Sequence, residues 1–145
     1  MACDRARGPH CLAPARLLAI HAIELYLNAL LLGCGDTARD VRGLQHDLAR
    51  RTERAQELGL SLRAKTTTHL NSLASTREYL SARYGPEMSA TWSQLNRLTA
   101  SLEEVGKKVT LILDQRRATL HTNGSSSVQQ SASATASRLD RPAVQ

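Results

Sequence analysis

The chain has 145 residues, 41% of them hydrophobic, with no Phe, one Trp and three Tyr, and a formal net charge of +6. A single domain of this length buries a real core without disulfides or metal, and a core this poor in rings must be aliphatic, which suits helix packing. No useful stretch alternates apolar and polar residues, which excludes a sheet-based domain.

The basic excess comes from 16 Arg against 3 Lys. It is compatible with an anionic partner such as nucleic acid, and equally with a GC-rich coding preference for Arg. Between Ala13 and Leu113 there are 13 basic and 10 acidic residues, so half of the excess lies outside the predicted domain. Cys3, Cys11 and Cys34 are odd in number and form no CxxC pair. That supports neither a disulfide framework nor a zinc site, and no cofactor is expected. A reducing cytoplasm is the expected location. Arg5, Arg7 and His10 are not followed by the apolar region and small-residue cleavage site of a signal peptide.

Residues 1–12 lack periodicity and are expected to be a flexible N-terminus. Pro14 suits a helix first turn, and the pattern predicts a helix from Ala13 to Gly33, stopped by Gly33-Cys34-Gly35. It is apolar nearly all round, as in the middle of a bundle or an interface. The run Leu17–Leu32 is too short for a span and contains His21, Glu24 and Asn28, which argues against membrane insertion. Those three polar residues fall on one stripe about 60° wide. An imidazole and a carboxylate one turn apart suit proton transfer; the same stripe would also serve as the solvated edge of a buried helix, and a buried Glu24 would need an Arg from another helix.

Asp36 is placed to cap a short turn through Val41 and Leu44. A second helix is predicted from His46-Asp47 to Gly59. A third starts at Thr66-Thr67-Thr68, carries Leu70, Leu73, Tyr79 and Leu80, and stops before Tyr84-Gly85-Pro86. The fourth is the clearest: Trp92, Leu95, Leu98, Leu102, Val105, Val109 and Ile112 recur at three and four, opposite a polar stripe of Gln94, Arg97, Ser101, Glu104 and Lys108. Gly106 weakens this helix or permits close packing. From residue 119 onward Ser, Ala, Gln and Thr dominate, and a disordered tail is expected. The reading is all-α: an antiparallel up-and-down bundle of four main helices over residues 13–118. The first helix would keep an uncovered face for a homodimer or a helical protein partner.

The sequence has no P-loop, GxGxxG, HExxH or GxSxG motif, no metal-ligand cluster, and acidic residues expected on exposed faces. What remains is Arg39-Asp40-Val41-Arg42-Gly43-Leu44-Gln45-His46. Arginine forks bind phosphate and histidine moves protons near neutral pH. Together they would suit metal-free RNA cleavage, with Arg39 and His46 catalytic and Arg42 a phosphate contact. An Arg-rich loop before a helix start has the same composition.

Two segments, LLAIHAIELYLNALLLGCG and RGLQHDLARRTERAQELGL, together resemble the HEPN family of bacterial helical proteins. Ala22-Ile23-Glu24-Leu25, Leu27 and Ala29 match its first core helix, with Asn28 where Lys is frequent, and His46-Asp47-Leu48 match its second helix start. The resemblance covers residues 13–60. It implies an all-α bundle that often dimerises. Many members are toxin or defence ribonucleases with an Arg, four to six residues, then His at the dimer interface; others are inactive accessory domains. Arg39 and His46 fit that spacing and Arg42 does not. The implied function is RNA or nucleotide processing in a toxin–antitoxin or stress system, the alternative a non-enzymatic helical interaction module.

Overall fold

In a computed structural model of the chain, residues 12–84 and 93–136 are described, with side chains through residue 120. They are all-helical: α1 (Ala13–Gly33), α2 (Ala38–Gly43), α3 (Leu48–Glu57), α4 (Ala64–Ser75), α5 (Glu78–Tyr84) and α6 (Leu95–Ala136). Among the described residues six helices thus stand where four main helices and a short helical turn, here α2, were expected. The predicted third helix is divided at Arg77, which adopts a left-handed φ of 49°. Its three threonines lie inside α4, whose N-cap is Arg63. Trp92 lies outside the described residues. The helix of α6 continues to Ala136, where composition predicts a tail from residue 119.

Local chemistry fixes the ends. At the close of α1, Asp36 N–H bonds to Leu31 O at 3.0 Å and Gly35 N–H to Leu32 O at 3.1 Å. Gly35 supplies the left-handed turn, φ 106°, of a Schellman stop. The residue capping α2 is Thr37 rather than Asp36, in a reciprocal box with Asp40. Asp36 instead takes both arms of Arg54 from α3, at 2.6 and 3.0 Å. Asp47 caps α3.

The helix order differs from an up-and-down bundle. Arg16 reaches Ser93 at 3.5 Å, the Tyr26 ring covers Gly106, and Gly33 lies against Leu113. These contacts advance along both helices together, so α1 and α6 run in the same direction. Across them α4 runs the opposite way: Thr66 meets Glu104 while His69 meets Ser101. The connection from Gly33 to Asp47, not a full helix, carries the chain back along α1. The core between these elements is aliphatic, as composition requires: Ile23, Leu27, Leu30, Leu31, Leu70, Leu98, Val105 and Val109 are almost fully buried.

Three carboxylates are buried and hold helices together, two of them, Glu78 and Glu104, against the expectation of exposed faces. Glu78 accepts from Arg16 at 2.8 Å and from Ser93, joining α5 to the starts of α1 and α6. Glu104 takes Arg63, Thr66 and Lys108 at 2.5–2.9 Å. Burial raises its pKa, but those hydrogen bonds outweigh it and hold the carboxyl well below the usual range. The polar stripe on α6 is therefore partly an interface with α4. The third, Glu24, belongs to the site below.

Candidate functional site

The polar stripe of α1 divides. His21 is exposed, while Glu24 and Asn28 turn toward α3. There Arg51, 3% exposed, donates from Nε to Asn28 Oδ1 at 2.8 Å, and its Nη2 forms an ion pair with Glu24 Oε1 at 3.1 Å. Its Nη1 reaches the carbonyl oxygens of Leu44 and Asp47 at 3.4 and 3.5 Å. Burial lowers the Arg51 pKa and the charges of Glu24 and Asp47 oppose that; a guanidinium nevertheless stays cationic. The arginine from another helix that a buried Glu24 requires is thus Arg51.

The second oxygen of Glu24 faces His46 Nδ1 at 3.2 Å. His46 sits just before the α3 cap, on the turn made by Gln45, and its side chain is 59% exposed. A neutral imidazole donating Nδ1–H to Glu24 keeps its Nε2 lone pair free on the outer edge. The ring also lies 5.2 Å from that of Tyr79, tilted by 38°.

His46 lines an open cleft of about 720 Å³, with Gln45, Arg50, Asn71, Arg77 and Tyr79 among its walls. Arg50 and Arg77 are exposed, and neither has a carboxylate at ion-pair distance among the described residues. Gln45 and Arg77 are also the two non-glycine residues at positive φ, 48° and 49°, among those described. Such backbone costs of order 1 kcal/mol or more and gathers at binding and catalytic sites. The arrangement offers an oriented imidazole, two open cations and a ring face around one solvent-filled recess. That set can hold an anion and move a proton beside it.

Arg39 and Arg42 are exposed on α2 and line no part of this cleft. Neither shares a hydrogen bond or ion pair with His46 among the described residues. The sequence reading therefore placed His46 and Glu24 in the site but missed Arg50, Arg51, Arg77 and Tyr79. A signal existed for Arg51: it stands three residues after Leu48 and four before Ala55, both buried, and so on the core face of α3. Arg77 and Tyr79 come from a distant segment with no local mark. Among the described residues no group of three His, Cys, Asp or Glu side chains is placed to hold a metal. No protein-family profile, characterised protein or solved structure matches the chain.

Proposed function

We propose that the His46 cleft is a phosphoester site and that the protein is a HEPN-like, metal-independent ribonuclease of a cytoplasmic toxin–antitoxin or stress system. One observation carries this reading: an exposed imidazole held through Nδ1 by buried Glu24, beside the open cations of Arg50 and Arg77. In the reaction, His46 Nε2 takes the proton of an RNA 2′-hydroxyl as its oxygen attacks the adjacent phosphorus. The P–O bond to the 5′-oxygen breaks, water protonates that oxygen, and a 2′,3′-cyclic phosphate remains. Arg50 and Arg77 offset the charge that grows on the phosphoryl oxygens. Glu24 orients the ring and Arg51 holds Glu24. Arg39 and Arg42, on the neighbouring exposed turn, would then contact the RNA backbone outside the cleft, with His21 further along α1.

The test is incubation of the purified protein with mixed RNA in EDTA, beside His46→Ala and Arg50→Ala/Arg77→Ala variants. Cleavage lost in the first and weakened in the second supports the reading; equal or absent cleavage in all three refutes it. A second reading, a non-enzymatic helical interaction module, is favoured by the uncovered leucines of α1.

A further inference from the structure

Lysine is the rarer cation of this chain, and its three copies, Lys65, Lys107 and Lys108, all lie where the start of α4 meets α6. A coding preference that enriches Arg does not account for that grouping. Here a recess of about 460 Å³ opens between Arg63, Lys65 and Thr66 on one side and Arg97, Ala100 and Ser101 on the other. Clefts of this size hold small organic ligands. The recess shares no residue with the His46 cleft, which lies against the later turns of α4.

No carboxylate lines it. Glu104 stands beside it, with both oxygens taken by Arg63, Thr66 and Lys108. Arg63 meets Glu104 through its backbone N–H and Nε, which leaves its two Nη groups open. Lys65 and Arg97 are exposed, and neither forms an ion pair among the described residues. Arg97 Nη2 reaches the Lys65 carbonyl oxygen at 3.4 Å, which holds the guanidinium over the start of α4. Cations gathered this way repel one another until an anion enters. A buried hydroxyl joins them. Ser101 is 3% exposed, and its Oγ lies 2.7 Å from Nδ1 of His69, whose Nε2 is buried without a partner among the described residues. A proton on Nε2 would be an orphan N–H in the core, whereas a proton on Nδ1 leaves only an unused lone pair there, the commoner defect. Nδ1–H therefore donates to Ser101, and the serine's own proton needs another acceptor. Nearby Thr99 donates to the carbonyl oxygen four residues back, as helical hydroxyls do, but Ser101 does not. Its O–H is thus available to a ligand in the recess.

We infer that this recess binds a small phosphomonoester, its phosphoryl oxygens held by Lys65, Arg97 and the Nη groups of Arg63, with Ser101 donating to one of them and the organic body against Ala100. A phosphomonoester brings three acceptor oxygens and close to two negative charges, which matches this donor set better than the two oxygens and single charge of a carboxylate. The site is independent of chemistry at His46, and none of its tests reads RNA cleavage. Isothermal titration calorimetry of the full chain with phenyl phosphate, at about pH 7.5 where the ester is dianionic, should show one ligand per chain with a Kd below about 1 mM. Inorganic phosphate should compete. Arg97→Ala, Lys65→Ala and Ser101→Ala should each weaken binding about tenfold or more; the first two, at exposed positions, should leave the circular dichroism spectrum unchanged. The Arg50→Ala/Arg77→Ala variant should bind as wild type does. A wild type that takes up neither phosphate overturns the inference. Binding lost with Arg50 and Arg77 but kept without Lys65 and Arg97 overturns it too, and assigns the anion to the His46 cleft. A short oligoribonucleotide that binds through Lys65 and Arg97 where phenyl phosphate does not would overturn it in favour of a nucleic-acid backbone.

Discussion

Arg51→Ala is the sharpest test of how the site is held. The substitution removes a hydrogen bond of 2.8 Å, an ion pair of 3.1 Å and two longer hydrogen bonds to carbonyl oxygens, from a side chain only 3% exposed. Glu24, whose side chain is 11% exposed, would keep only the contact to His46. Stranding one partner of a buried ion pair costs about 3–5 kcal/mol. The loss here should fall near 3 kcal/mol, because His46 still engages one carboxylate oxygen. Adding Glu24→Gln removes the stranded charge and should recover 1 kcal/mol or more of that loss, a coupling typical of groups in contact. Urea denaturation of wild type, both singles and the double gives the cycle. An Arg51→Ala loss below about 1 kcal/mol, or strict additivity in the double, would show that the ion pair does not hold α3 against α1.

Stability should also depend on pH through His69. Burial depresses its pKa, the Arg97 charge adds to this, Glu78 opposes and Arg16 adds a little. The unfolded chain therefore binds the proton more readily. Stability should be flat above the ordinary value of 6.5 and fall as pH drops from there toward the lower folded value; His69→Gln should flatten that slope, and an unchanged slope would assign it to other groups. Glu104 has the same sign in a more acid window, its folded pKa also being depressed. Its contribution is present above 4.5 and lost progressively below, so Glu104→Gln should weaken the chain at neutral pH and narrow its acid loss, measured by thermal melts at pH 7 and pH 3. Gly59 has φ 102° in the turn where Leu60 N–H bonds to Ala55 O at 2.9 Å. Gly59→Ala should cost about 1 kcal/mol in urea midpoints, whereas an equal change at open Gly43, where φ is not positive, should cost less than half of that.

Much of the fold is written in local pattern. The spacing of Leu95, Leu98, Leu102, Val105 and Val109 marks the face of α6 that enters the core, and Gly35 and Gly59 mark stops that need a left-handed residue. What the pattern does not carry is the meaning of a polar residue on a helix. Ser101 and Glu104 read as a solvated stripe, and they are buried because His69, Thr66 and Arg63, more than 30 positions away, supply their hydrogen bonds. The same holds at the cleft. His46 and Glu24 could be singled out by residue type, but the cations beside them are decided by where Arg77 lands after the chain has turned twice. For α1 the difficulty is reversed. A helix apolar on all sides gives no periodicity from which to read its inner face, so composition alone suggests a central position. Arg16 and Glu24 decide the matter, because ionised groups must face partners that can pair with them. Once those two residues fix the inner face, Leu18, Leu25 and Leu32 fall on the outer one, which is why these large apolar side chains are exposed.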